Sequence, residues 1–158
     1  MSAYSIFPSS WRLYSLYPLI TLLLAMCIDF SFSHSSCLIF CTLFYWSLYR
    51  PLFVSLLFLF LMGITYDIFH GNLLGQSSFV FISLFTLTVY FRRNLTASSF
   101  PIVWGIFGII LMIIIFLNWL LYSLTALSFL SFTDFFVQFY ITLLIYPWVS
   151  FFLDKLTP

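Results

Sequence analysis

The chain has 158 residues, of which 64% are hydrophobic, 24% are aromatic and only 6% are charged. A soluble domain carries about 25% charged residues, and a chain of this size has too much surface to hide so apolar a composition from water. The composition therefore excludes a soluble domain and predicts one integral membrane domain over residues 1–158. The net charge of +1 gives no indication of nucleic-acid binding.

Six apolar segments follow one another along the chain, separated by polar or turn-forming sequence. A transmembrane helix needs about 20 mostly apolar residues. The second segment is short and reaches only about 24 Å as a helix. Pro51 and Pro101 are each predicted to lie in the first turn of a helix, where a missing N–H costs nothing. The predicted spans are residues 13–30, 34–49, 51–69, 73–91, 101–121 and 134–153.

The basic residues determine the predicted orientation. With six spans, all five Lys and Arg residues fall on one side of the membrane, which the positive-inside rule assigns to the cytoplasm together with both termini. If the second segment did not cross, Arg50 and Arg92 would lie opposite Arg12. The charges therefore favour an all-α, six-helix, polytopic fold. The topology determinants are Arg12, Arg50, Arg92, Arg93 and Lys155.

Polar residues concentrate towards the other, outer side of the predicted bundle. Polar side chains within spans usually face the protein interior or a water-filled cavity. We interpret these residues as an outer polar rim. Its members are Asp29, His34, Asn118, Asp134 and Gln138.

The stretch FLMGITYDIFHGNLLGQ, residues 60–76, places polar side chains in a strongly apolar segment. Gly63, Tyr66, Asp67 and His70 have the spacing of one helix face, and a glycine there allows a neighbouring backbone to approach closely. We interpret this face as a helix-packing or partner contact, for which Asp29 and Asp134 are the candidate neighbours in space.

Other interpretations of Asp67 and His70 stay open. They include a proton relay, a metal-ligand pair, the rim of a ligand site, and a helix end that meets interfacial water, as His70-Gly71-Asn72 indicates. Two ligands are too few to define a metal site, and a proton relay usually needs a deeper acid. Gly71 and Gly75 form a GxxxG pattern that begins in a turn, so it is a weak dimerisation signal. No nucleophile–base pair or phosphate-binding loop is present, and no enzyme, cofactor or metal is predicted.

The segment FYWSLYRPLFVSLLFLFLMGITYDIFHGNLLGQSSFVF resembles the core of the bacterial rod-shape-determining MreD family, and the final YPWVSFFLDK is similar to that family's last helix. The chain departs from the family in its Phe-rich composition and its short basic inner loop. The residues that carry the resemblance are Tyr45-Trp46, Pro51, Gly63, Asp67, Gly71 and Leu74-Gly75.

The resemblance implies a non-catalytic scaffold of the cell-elongation complex in the bacterial inner membrane. Such a protein binds the single-span protein MreC and helps couple MreB filaments to the peptidoglycan glycosyltransferase and transpeptidase, and so to cell shape. The resemblance also implies a fold similar to the substrate-binding subunits of energy-coupling-factor transporters. The alternative function is therefore an outward-facing, vitamin-type binding subunit, although LITLLLAMCIDF lacks the AxxxA docking pattern of those subunits.

Overall fold

The computed structural model describes residues 10–31, 37–95, 99–126 and 132–156. Within these ranges the chain is helical and contains no strand, which confirms the predicted all-α class. A short 3₁₀ turn, Pro51–Phe53, connects the second and third helices. The six helices are α1 Ser10–Ser31, α2 Cys37–Tyr49, α3 Leu56–His70, α4 Gln76–Leu95, α5 Phe100–Ala126 and α6 Phe132–Leu156.

Two of the predicted helix starts were wrong, each for a local backbone reason. Pro51 opens the 3₁₀ turn rather than the third helix, because the Val54 N–H donates to the Pro51 carbonyl and Val54 is extended. The fourth helix starts at Gln76 rather than three residues earlier, because Gly75 has φ +97°, outside the helical region. Pro101 does lie in the first turn of α5.

Helix α2 is the centre of the bundle. Apart from Leu38, its residues from Cys37 to Leu48 are all buried, and it contacts α1, α4 and α6. A helix that is apolar on every side is stable only when other elements surround it. The shortest predicted span is therefore the element around which the others pack.

Side-chain contacts give the direction of α1 and α4 relative to α2. The Trp46 indole N–H donates to Thr21 Oγ1 at 2.8 Å, while the other end of α2 lies beside Asp29, so α1 and α2 are antiparallel. The rings of Phe40 and Phe81 lie 6.2 Å apart near the starts of α2 and α4, so these helices run in the same direction.

The remaining helices follow the same up-and-down order. Tyr45 Oη donates to Asp154 Oδ1 at 2.8 Å, which places the C-terminal parts of α2 and α6 together. Gln76 and Asn118 are hydrogen-bonded, which pairs the start of α4 with the later part of α5. One end of the bundle thus holds the beginning of α1 and the last residues of α2, α4 and α6. We call it the basic end, because the backbone positions Arg12, Arg50, Arg92, Arg93 and Lys155 all lie there.

Aromatic packing fills the interior between α2, α5 and α6. The Phe107 ring lies 4.7 Å from that of Phe44 and 4.3 Å from that of Tyr146, measured between ring centroids. All three side chains are buried. These contacts hold the two longest helices against the central one.

The helices differ in length and hydropathy. Within the described parts of the chain, two helical segments are long and apolar enough to cross a membrane by length and composition: Phe100–Leu124 and Phe135–Lys155. Three shorter apolar segments accompany them, Tyr17–Asp29, Cys37–Tyr49 and Leu56–His70.

Candidate functional site

Gly63 lies where α3 and α4 cross most closely. A Cβ atom added at Gly63 would lie 2.3 Å from Ser78 Cα and 2.4 Å from Ser78 N. The Ser78 hydroxyl donates to the Phe60 carbonyl at 2.8 Å, so a side-chain hydrogen bond also joins the two helices here. Only glycine fits at this crossing, because the atoms it faces are backbone atoms that cannot rotate away.

Asp67, one turn further along α3, caps the start of α4. Its side chain is fully buried. Its carboxylate accepts from the Gly75 N–H at 2.8 Å and from the Ser77 N–H at 3.1 Å and 3.2 Å, one distance to each oxygen. The first N–H groups of a helix have no partner within the helix and favour a negative charge. Asp67 supplies the acceptor for two of these N–H groups from the neighbouring helix.

The backbone carbonyl of Asp67 closes its own helix. It accepts from the N–H of Gly71 and from that of Asn72, the latter at 3.0 Å. Gly71 has φ +68°, the left-handed conformation that commonly ends helices and that glycine adopts without strain. One residue therefore ends α3 through its main chain and starts α4 through its side chain.

Tyr66 and His70 complete the face. The Tyr66 ring is buried and meets Phe81 of α4 edge-on, with 5.8 Å between ring centroids. His70 is half-buried, stacks on Tyr66 at 4.0 Å, and has its Nδ1 3.0 Å from the Tyr66 carbonyl oxygen. The face thus contacts α4 of the same chain. The interpretation in which Asp67 meets interfacial water was wrong, because α4 encloses its carboxylate.

Asp29 caps the start of α2 in the way that Asp67 caps the start of α4. It is buried near the end of α1, and its carboxylate accepts from the Leu38 N–H at 3.2 Å and the Ile39 N–H at 2.9 Å. It is therefore an internal helix cap and not part of an exposed rim. Sequence reasoning missed this repeated role, although a signal exists: each acid lies near the end of one apolar helix and ten residues before a capped N–H of the next.

Arg92 is bound at the opposite end of α2. Its Nε donates to the Leu48 carbonyl at 2.7 Å. The last carbonyls of a helix carry partial negative charge and lack intrahelical partners. The buried central helix therefore has an acid from α1 at its N-terminus and a base from α4 at its C-terminus.

Two other predicted rim residues, Asn118 and Gln138, make hydrogen bonds within the bundle. Gln76 Nε2 donates to Asn118 Oδ1 at 3.3 Å, which links α4 to α5. Gln138 is half-buried in α6, and its backbone carbonyl accepts from Thr142 Oγ1 at 2.7 Å. His34 lies outside the described residues, and so does the side chain of Asp134, whose backbone is part of α6.

The chemistry of the site is that of helix capping. The carboxylates of Asp29 and Asp67 both accept backbone N–H groups. Gly71 and Gly75 occupy the turn with positive φ, and added Cβ atoms there would meet no neighbour within 4 Å, so this GxxxG pattern makes no close helix contact in the chain. Within the described ranges, no three His, Cys, Asp or Glu residues are grouped as metal ligands would be.

Comparison with known proteins assigns the family. The profile of the family described as rod shape-determining protein MreD matches residues 6–156. The chain belongs to the MreD family. The match covers all six helices of this MreD bundle, including both capping aspartates and the Gly63 crossing. None of the curated protein sequences and none of the solved structures compared with the chain matches it significantly.

Proposed function

We propose that this MreD-family protein is a non-catalytic scaffold of the bacterial rod complex. It crosses the cytoplasmic membrane six times with both termini in the cytoplasm, binds an MreC-like single-span protein, and helps couple MreB filaments to peptidoglycan synthesis. The observation that carries the proposal is the family match over residues 6–156, which assigns a role in rod shape determination.

The exposed surface supports a membrane location. Large apolar side chains project outwards from several helices, among them Leu57 of α3, Ile109 of α5 and Phe151 of α6. Soluble monomers rarely expose extensive contiguous apolar surface, whereas lipid-facing helices do. Helices α2 and α3, with 13 and 15 residues, are shorter than the usual span. The central helix α2 is enclosed by its neighbours, and its two ends are bound by Asp29 and Arg92.

The internal use of the polar groups supports a scaffold over a catalyst. The buried carboxylates are bound to backbone N–H groups, which fixes the helices relative to one another. A scaffold requires a rigid body of this kind, with its outer surface available to lipid and to partner helices. In this proposal MreB and the synthetic enzymes interact with the protein indirectly, through MreC.

The test is affinity purification from native membranes. The tagged chain would be extracted in mild detergent after cross-linking, and the co-purifying proteins identified by mass spectrometry. We expect an MreC-like protein with one span and a periplasmic domain, in near-equal amount. An unrelated polytopic protein with the same tag is the control. Absence of such a protein, together with normal rod shape after depletion of the chain, would contradict the proposal.

One observation favours a second candidate, an outward-facing binding subunit for a small, vitamin-type molecule. Gln76 is buried, and its Oε1 has no hydrogen-bond partner in the described part of the chain. A buried acceptor of this kind can receive a hydrogen bond from a ligand. Native mass spectrometry of the purified protein distinguishes the two functions. A small molecule bound in equal amount to the protein, and lost in Gln76→Leu, would support the binding subunit.

A further inference from the structure

The turn between α3 and α4, residues 71–75, is unusually apolar on its exposed side. Leu73 is 57% exposed and Leu74 is 70% exposed, and Ile68, in the last turn of α3, is 64% exposed. Connecting segments that run through water are normally polar. Two adjacent exposed leucines at the tip of a helical hairpin therefore indicate an apolar surrounding medium.

The backbone of this turn is adapted to such a medium, because it satisfies much of its own hydrogen bonding. The N–H groups of Gly71 and Asn72 donate to the Asp67 carbonyl, and those of Gly75 and Ser77 donate to the Asp67 carboxylate. The Gln76 N–H donates to the Leu73 carbonyl at 3.1 Å. Irregular backbone is tolerated in the hydrocarbon region only where it is buried in protein or lines a water-filled cavity, because its polar groups need partners there. The bonds to Asp67 hold the N–H groups of this turn on the protein side.

The lengths of the helices also place the turn below the outer face of the cytoplasmic membrane. Helix α3 has 15 residues, and at 1.5 Å per residue it spans about 22 Å of a hydrocarbon layer about 30 Å thick. The Gln76–Asn118 hydrogen bond aligns the start of α4 with Asn118 of α5. From there α5 continues to Ala126, about 12 Å further. The α3–α4 hairpin thus ends well before its neighbour does.

We propose that the α3–α4 turn lies within the outer lipid leaflet, with Leu73 and Leu74 against lipid acyl chains. The proposal rests on the membrane-spanning arrangement of the proposed function. Lipid is the occupant because the exposed leucines continue the apolar outer face of α3, which includes Leu57 and Leu61. The Asp67 carboxylate accepts N–H groups of the turn from within the bundle. These groups therefore need no acceptor from a partner helix.

Depth-dependent fluorescence quenching tests the position of the turn. The full chain carrying Leu74→Cys, in a Cys27→Ala background that removes the exposed native thiol, would be labelled with an environment-sensitive dye and placed in vesicles. Ile109→Cys, on the exposed middle of α5, is the lipid reference. Ser99→Cys, at the exposed start of α5, is the water reference. The quenchers are lipids brominated on their acyl chains and aqueous iodide on both sides of the membrane.

We expect the Leu74 probe to be quenched by brominated lipid as the Ile109 probe is, and to resist iodide. Quenching by iodide as strong as at Ser99 would overturn the proposal, and so would resistance to both quenchers, which would show that protein covers the turn. Loss of lipid quenching at Ile109 as well would count against the membrane arrangement itself. Lipid quenching at Ile109 with iodide quenching at Leu74 would refute only the inference about the turn.

A second variant tests the role of Asp67. Asp67→Ala removes the carboxylate acceptors for the Gly75 and Ser77 N–H groups, so the turn should move towards water and iodide quenching of the Leu74 probe should rise. Asp67→Asn keeps one acceptor oxygen and should give a smaller rise. Unchanged iodide quenching in Asp67→Ala, with the Ile109 probe still quenched by lipid, would contradict the proposed role of Asp67.

Discussion

Gly63 and Asp67 act one helical turn apart on α3, and each determines a different property of the α3–α4 hairpin. Gly63 sets the separation of the two helices through its contact with the Ser78 backbone. Asp67 sets the geometry of the turn through its carbonyl and its carboxylate. Spacing in the sequence placed both residues on one face, but it did not reveal that Asp67 faces the N-terminus of the next helix.

Gly63→Ala should destabilise the protein by about 1–3 kcal/mol, the usual cost of overpacking a closely packed interior. Gly105→Ala is a matched control, because Gly105 is also helical but an added Cβ there would have no neighbour within 4 Å. That control should be neutral, or stabilising by up to about 1 kcal/mol, since alanine favours helix over glycine. Thermal unfolding in detergent measures both. Equal melting temperatures for the two variants would contradict the close crossing.

Gly63→Leu should impair assembly with the proposed partner more than His70→Ala does. Bulk at Gly63 separates α3 from α4, whereas His70 is half-buried and loses mainly its ring stacking on Tyr66, worth about 0.5–1.5 kcal/mol. The measurement is the amount of each variant in the membrane and the MreC-like protein recovered with it. Wild-type values for Gly63→Leu would exclude a structural role for this crossing.

Asp67→Ala should destabilise the protein by about 2–6 kcal/mol, because it leaves the Gly75 and Ser77 N–H groups without acceptors, at about 1–3 kcal/mol for each group. Asp67→Asn should cost less, since one amide oxygen remains as an acceptor. Chemical unfolding of the purified variants in detergent measures the difference. An Ala variant as stable as the unsubstituted protein would show that the carboxylate oxygens contribute little to holding the turn.

At the scale of elements, α2 differs most from its sequence-based description. The sequence predicts a short span over residues 34–49, and the structure shows a helix of 13 residues at the centre of the bundle. A helix enclosed in a medium of low dielectric constant keeps partial charges at its ends that water cannot screen. Asp29 and Arg92 lie at the two ends with the charges that this dipole favours.

Arg92→Ala should destabilise the protein by about 1–2 kcal/mol, the range for a charged group at a partly buried helix C-terminus. Arg93→Ala is the matched control: it removes the same charge from the same helix end, but Arg93 is exposed. The control should change stability little. Unfolding curves for the two variants, measured at the same low ionic strength, test the prediction. It fails if both variants lose the same stability.

At the scale of the whole molecule, the bundle gathers its basic positions at one end and places Asp29 and Asp67 towards the other. The up-and-down order of the helices produces this separation, because α2, α4 and α6 all end where α1 begins. The positive-inside rule predicts that this end faces the cytoplasm.

Reporter fusions test this orientation. A fluorescent protein that folds only in the cytoplasm should be active when fused to either terminus, and alkaline phosphatase, which requires the periplasm, should be inactive at both. A matched phosphatase fusion placed after Ala126, at the outer end of α5, should be active. Phosphatase activity at either terminus would exclude the proposed six-span, N-in and C-in arrangement.

Composition and periodicity by themselves determined the all-helical class, the number of helices and the clustering of the basic residues, because these depend on local apolar runs and on the order of charges along the chain. The Tyr-Trp, Gly-Asp and Leu-Gly pairs were also enough to indicate the family. Local sequence placed Pro51 at the start of α3, and only the structure showed a separate 3₁₀ turn there.

Only the tertiary structure decided what the acids do. Asp29 and Asp67 meet their N–H partners eight to ten residues away, across a turn whose geometry depends on helix packing. The central position of α2 also depends on helix packing, so the sequence did not reveal it. An evenly apolar helix carries no periodic signal that distinguishes lipid neighbours from protein neighbours, so the contacts of the whole bundle decide which it has.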